Sequence, residues 1–219
     1  MMEVIAVSLP NSGIVEGKIP DNIVKDIWKL IEEAKETPYD NRNNNNLAGN
    51  ISSSLYLDLK SPITLSFIQN VLKNFIDKYV EAYGLSPEQK EKEHQLDLTT
   101  FWVNFQKQTE FNPIHQHNGL YSFVIWMQIP TSFKEQSQLP ISANSNSNFC
   151  ISNFGFAYND ILGKLCHQHY EMEKEMEGYM LLFPASLQHQ VYPFYNNDGE
   201  RISVSGNITI VTGENRNEN

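Results

Sequence analysis

A chain of 219 residues with 40 % apolar and 19 % charged side chains can bury one sizeable core without metal or disulfide staples. Its net charge of −10 argues against a nucleic-acid backbone or an anionic membrane as the main partner, since both need clustered Lys and Arg. Cys150 and Cys166 form no framework of disulfides, no signal sequence opens the chain, and no apolar run reaches transmembrane length, so a cytoplasmic protein is expected.

In chain order, residues 2–18 read as one or two short strands, with Val4 to Val7 apolar and a turn at Pro10 to Gly13. A helix then starts near Pro20 and Asp21, with Asp21 as its N-cap and Ile23, Val24, Ile27, Trp28, Leu30 and Ile31 at helical spacing. The asparagine-rich stretch from Asn41 to Asn50 reads as a loop that ends this helix and buries little. A second helix is predicted from Ser61 or Pro62 to Tyr83, on a stripe that includes Ile63, Phe67, Leu72, Phe75 and Tyr79, and Gly84 stops it. Pro87 to Glu93 reads as a solvated connection, with His94 exposed behind it.

From residue 94 onward the pattern becomes strand-like. The predicted strands are 96–106, 122–129, 150–157, 164–171, 178–183, 188–193 and 201–211, short and punctuated by turns, as in a sandwich or barrel. Residues 131–149, rich in Ser, Asn and Gln, read as a long inserted loop, either an active-site lid or a surface excursion. The expected organisation is one domain spanning 1–219, with a helical support at 1–93, a strand-rich core at 94–211 and a tail at 212–219.

The chemistry concentrates in His115 and His117, in His189 far downstream, and in Arg201 and Ser203. Residues two apart share a strand face, so the imidazoles of His115 and His117 can converge on one cation. His189 on a neighbouring strand would complete a facial set of three, leaving the opposite face of an octahedral iron open. Arg201 and Ser203 share a face in the same way, and a guanidinium beside a hydroxyl is a receptor for a carboxylate. The bland alternative makes the histidine pair ordinary strand residues, and the spacing to His189 and Arg201 weighs against it. His167 and His169 form a second pair, read as polar side chains on a peripheral strand. Neither a nucleophile-elbow serine motif nor a phosphate-cradling glycine loop is present, and the acids cluster in charged surface runs.

Taken together, His115, His117, His189, Arg201 and Ser203, with Asn104, the strand Ser122 to Met127 and the run Met180 to Pro184, resemble the 2-oxoglutarate and Fe(II)-dependent dioxygenases, and within them the type common in marine phage and bacterial genomes. The resemblance covers roughly residues 95–211. It implies an α+β fold, a double-stranded β-helix (jelly roll, cupin-like) braced by the N-terminal helices. It further implies Fe(II) on His115, His117 and His189, and 2-oxoglutarate chelating the metal with its far carboxylate on Arg201 and Ser203. Asn104 and, with a weaker claim, Asn207 would join the co-substrate wall, and Tyr121, Trp126, Phe183 and Tyr192 are candidate pocket aromatics. The implied reaction is hydroxylation of a small-molecule or peptide substrate, with release of succinate and carbon dioxide.

One departure stands out. His117 occupies the position where the superfamily carries Asp or Glu, so the ligands would be three neutral imidazoles and the site should attract anions more strongly. In a different reading His117 is the first ligand and Gly119 fills the acid slot, leaving a coordination position open. Two other functions fit parts of the pattern: a three-histidine cupin-type dioxygenase that works without 2-oxoglutarate, and a metal-stabilised jelly-roll interaction or virion protein without catalysis. A homodimer is compatible with the sequence.

Overall fold

Period-two alternation decides which face of each strand meets which layer. The computed structural model describes residues 4–5, 11–86, 95–142 and 150–211. Among them, ten strands run as β1 (Val15–Lys18), β2 (Ser53–Tyr56), β3 (Gln95–Gln106), β4 (Asn112–His115), β5 (Tyr121–Gln128), β6 (Asn153–Asn159), β7 (Leu165–Glu171), β8 (Tyr179–Pro184), β9 (Gln188–Val191) and β10 (Arg201–Val211). A six-stranded sheet has the order β1-β8-β5-β10-β3-β2, and a four-stranded sheet the order β4-β9-β6-β7. Pairings are antiparallel throughout, and the two sheets make the expected jelly roll.

In the large sheet, odd and even positions serve different cores. Phe101, Val103 and Phe105 of β3, Phe123 and Ile125 of β5, and Ile202 and Val204 of β10 pack in one cluster with the helices. Val124 and Trp126 of β5 and Leu181 and Phe183 of β8 pack instead toward the small sheet, with Phe154 and Phe156 of β6. Strands buried on both faces read as continuous apolar runs, which is why 122–127 and 180–183 show no polar alternation.

The helices brace the outer face of the large sheet. Helix α1 (Asp21–Glu36) buries Ile23, Ile27, Leu30, Ile31 and Ala34. Its N-cap is Pro20, without a side-chain capping bond, so Asp21 is the first helical residue rather than the cap. There its carboxylate still faces the positive end of the helix dipole. The second helix spans the expected range but is not uniform: α2 (Pro62–Phe67) passes into a π segment (Ile68–Leu72) and then α3 (Lys73–Tyr83). Ser61 caps it by accepting from Ile63 N–H at 3.2 Å, and Gly84 ends it at φ 79°.

Other expectations are adjusted at the edges. Val4 and Ile5 lie in no strand, while Ala6, Val7, Pro10 and His94, with 87–93 and 212–219, lie outside the described residues. Of the expected loop 131–149, residues 143–149 lie outside the described residues, and 131–142 carry a short helix α4 (Phe133–Gln136) held by Gln136, which donates to Tyr195 O at 2.8 Å and accepts from Tyr195 N–H at 2.9 Å. Strand β2 was not anticipated, and the strand expected to carry both His115 and His117 is β4, which ends at His115. The β6–β7 hairpin exposes Ile161, Leu162 and Leu165 at its tip. No helix among the described residues is long and apolar enough to cross a membrane.

Candidate metal and anion site

Strand pairing brings the three histidines together. His115 ends β4 opposite His189 of β9 in register. His117 lies just past the strand, where its N–H donates to Ala185 O at 2.9 Å, so a loop bond rather than a shared strand face turns it inward. Ring centroids are 4.3 Å apart for His115 and His189, 4.9 Å for His117 and His189, and 5.1 Å for His115 and His117. One nitrogen from each ring falls within 4.8 Å of the others.

Backbone carbonyls orient two of the three rings. His115 Nδ1 pairs with Pro113 O at 2.7 Å and His189 Nδ1 with Leu187 O at 2.9 Å. Only a protonated nitrogen can pair with a carbonyl, so Nδ1 carries the hydrogen and Nε2 is left with the lone pair that a metal ion could take. Burial pushes His189 down to about 3 and His117 down to about 4, with the neighbouring His115 adding to both, and burial lowers His115 as well. At neutral pH all three are uncharged, as metal ligands must be.

Arg201 is 2 % exposed and has no carboxylate partner among the described residues. Its Nη1 donates to Gln106 Oε1 at 3.3 Å and Tyr192 O at 3.2 Å, its Nη2 donates to Ser152 Oγ at 2.7 Å, and the plane lies over the Phe194 ring at 5.2 Å. Nε is buried without a partner among the described residues. The free Nε hydrogen and the second Nη2 hydrogen share one edge of the guanidinium, the fork that takes a carboxylate side-on. Burial pulls its pKa below the ordinary value, yet the group stays charged at neutral pH.

A cavity of about 300 Å³ joins the two centres. Its floor comes from even positions of β3 and odd positions of β10, so Asn104, Arg201, Ser203 and Asn207 all line it, as do Trp126 and Phe183. Asn104 Oδ1 accepts from Ser54 Oγ at 2.8 Å, and Asn207 Oδ1 accepts from Ser122 Oγ at 2.8 Å, so each amide oxygen is engaged by a serine. Tyr192 contributes only its carbonyl to Arg201, and Tyr121 is directed to the helix side, where its ring meets Tyr79 at 4.9 Å. The odd-numbered face of β5 explains that miss.

The geometry weighs against the Gly119 reading. Gly119 lies at φ 115° against Ile208 O, where an added Cβ would sit 2.9 Å away, and it does not line the cavity. His115 converges with the other two imidazoles, which removes the reason for an acid slot at 119. His167 and His169 sit on β7 at the edge of the small sheet, their rings stacked at 5.8 Å.

The wall opposite the floor was not anticipated. Asn43, Asn45, Asn46, Leu47 and Ala48 of the asparagine-rich segment line the cavity, whereas no described residue of 131–142 does. Amides replace the missing ladder bonds: Asn43 Nδ2 donates to Ser54 Oγ at 3.3 Å, Asn44 Nδ2 to Ile51 O at 2.8 Å, and Asn46 Nδ2 to Tyr56 Oη at 2.8 Å. Sequence reasoning also missed Gln106, Trp102 and Ser152. The first two share the face of Asn104 on β3 and could have been found by counting in twos. Ser152, buried at φ 47°, carries no sequence signal for its role.

Residues 100–207 match a family model described as "Putative 2OG-Fe(II) oxygenase". No curated protein matches the chain in sequence. Among solved structures, a Pseudomonas putida prolyl-4-hydroxylase is similar at 12 % identity and TM-score 0.54, covering 92 % of this chain and 94 % of its own. A prolyl hydroxylase from Trichoplax adhaerens, solved with a hypoxia inducible factor oxygen degradation domain peptide fragment, is similar at 8 % identity and TM-score 0.56, covering 94 % and 86 %. The viral collagen prolyl hydroxylase of Paramecium Bursaria Chlorella virus-1, in its 2-oxoglutarate complex, is similar at 12 % identity and TM-score 0.50, covering 89 % and 94 %. At these identities the likeness is one of fold.

Proposed function

We propose that this chain is a 2OG-Fe(II) oxygenase, the family whose model matches residues 100–207, and that it hydroxylates a C–H bond of its substrate at a centre held by His115, His117 and His189. Fe(II) and 2-oxoglutarate are the metal and co-substrate of the family, and together with dioxygen they supply the oxidising power, with succinate and carbon dioxide as by-products. The protein's own share is geometry and solvent exclusion.

Each residue then has a task. His115 and His189, locked by Pro113 O and Leu187 O, hold their Nε2 atoms on the metal. His117 is the third ligand, steadied by the edge of Trp102 at 5.6 Å instead of a carbonyl. Arg201 takes the far carboxylate of 2-oxoglutarate on its open fork, beside the Ser203 hydroxyl and the Asn104 amide. The aromatic cluster of Phe154, Phe156 and Phe183 around His189 keeps water from the rear of the centre.

The observation that carries this reading is the buried guanidinium, without a carboxylate partner among the described residues, in the same cavity as three neutral imidazoles. A three-histidine dioxygenase working without 2-oxoglutarate would have no use for that charge. Anaerobic addition of Fe(II) and 2-oxoglutarate should give the weak visible charge-transfer band of the chelate. Arg201→Ala should lose the band at co-substrate levels that saturate the wild type while still binding iron. A metal-loaded wild type without the band would overturn the proposal.

A further inference from the structure

The cavity floor continues past the metal ligands, away from Arg201. In the β3–β10 register Gln106 faces Arg201, Asn104 faces Ser203, Trp102 faces Ser205 and Thr100 faces Asn207. At about 3.4 Å per residue, Asn207 lies roughly 13 Å along the strand from Ser203 and about 20 Å from Arg201. A five-carbon dicarboxylate seated on Arg201 and Ser203 does not reach it. Trp102, edge-on to His117, marks the middle of the floor.

The far end is rich in donors. Ser122 satisfies Asn207 Oδ1, which leaves the Asn207 amino hydrogens, and Asn46 donates to Tyr56 Oη, which leaves the phenol proton. Thr100 Oγ1 and Trp102 Nε1 are buried without partners among the described residues. Counter-charge is missing: Arg201 is the one charged side chain among the described residues that line the cavity, and neither Asp nor Glu does.

On the Fe(II) and 2-oxoglutarate reading above, we propose that the Asn207 end is a second anion-receiving subsite and that the substrate presents a carboxylate to it. Three imidazoles bring no charge to the metal. Iron and Arg201 together carry three positive charges and 2-oxoglutarate two negative ones, so one positive charge stays uncompensated in a partly closed space, where low dielectric strengthens its pull. A substrate carboxylate neutralises it and takes the Asn207, Thr100 and Trp102 donors, which a neutral substrate would use less well.

The test uses the full chain loaded with Co(II), which does not turn over, and with 2-oxoglutarate. Calorimetric titration with acetate, with its neutral isostere acetamide and with chloride should give acetate about tenfold tighter than acetamide, as charge-assisted hydrogen bonds outweigh neutral ones. Asn207→Asp should lower acetate affinity more than about tenfold and leave 2-oxoglutarate affinity within about threefold. Trp102→Phe keeps an aromatic edge beside His117, removes the N–H and should weaken acetate by about fivefold. Equal affinity for acetate and acetamide, or chloride binding as tightly as acetate, overturns the subsite while leaving the co-substrate assignment standing. Failure of the Co(II) protein to take up 2-oxoglutarate overturns the underlying reading, and this subsite with it.

Discussion

An imidazole at position 117 leaves the full charge of a bound divalent ion in place, and its own protonation is held down by burial. The sign for folding follows from which state takes up the proton. Below about pH 6.5 an unfolded chain protonates His117 and His189, whereas the folded chain resists until about pH 4 and about pH 3 respectively. Stability of the metal-free protein should therefore fall as pH drops from 6.5 toward 4. The midpoint of urea unfolding measures this, and a His189→Asn variant should show a shallower slope. At Arg201, a lysine keeps the charge and loses the fork, so Arg201→Lys should weaken 2-oxoglutarate binding by about tenfold or more in equilibrium dialysis, with metal binding unchanged. The histidines, Arg201 and Ser203 are legible because strand spacing puts chemistry at fixed intervals. Ser152 and the Tyr192 carbonyl, which hold the guanidinium, are illegible because they arrive from loops whose path depends on tertiary contacts.

At the scale of elements, the π segment at Ile68–Leu72 has a geometric purpose. Phe67 and Tyr79 are both buried against the large sheet. In an uninterrupted α-helix the twelve-residue interval would set them about 120° apart, and one extra residue absorbed in a π turn cuts this to about 20°. Deleting the exposed Asn70 should convert the segment to regular helix and cost little stability. Deleting Lys78, beyond the π turn, should rotate Tyr79 and the residues after it by about 100° relative to the preceding helix, take Tyr79 off the sheet, and lower Tm by several degrees more, as read by calorimetry. Gly49 is a second constraint: an added Cβ would lie 2.3 Å from Phe111 O. Gly49→Ala should push the asparagine wall off β4 and weaken metal binding at His115, measurable by dialysis. Alternation in β3 and β10, and unbroken apolar runs in β5 and β8, made these four strands readable to within a residue or two. The asparagine segment looked like a plain loop because its order comes from side-chain amides standing in for a ladder, and no periodic pattern records that.

Across the whole molecule, two apolar clusters share one large sheet: helices pack on its outer face and the small sheet on its inner face. Phe67, fully buried and in ring contact with Phe101 and Phe123, belongs to the outer cluster alone. Phe67→Ala should cost about 3–5 kcal/mol of stability while the folded fraction binds metal normally. Phe156, packed at 6.3 Å from the His189 ring, belongs to the inner one, and its removal should damage stability and metal binding together. The two-layer plan was open to sequence reasoning through the change from helical to strand periodicity near residue 94. The division of each strand between two cores was not, because a run of apolar residues does not say which neighbour each one meets. The guanidinium locked inside this architecture has a bearing on the chain's lifetime. A cation kept from water without a counter-ion is a standing burden on the native state, and the dicarboxylate that relieves it binds only that state. Protease digestion should accordingly slow as 2-oxoglutarate is added, so the metabolite's supply would set how long each copy persists as well as how fast it works.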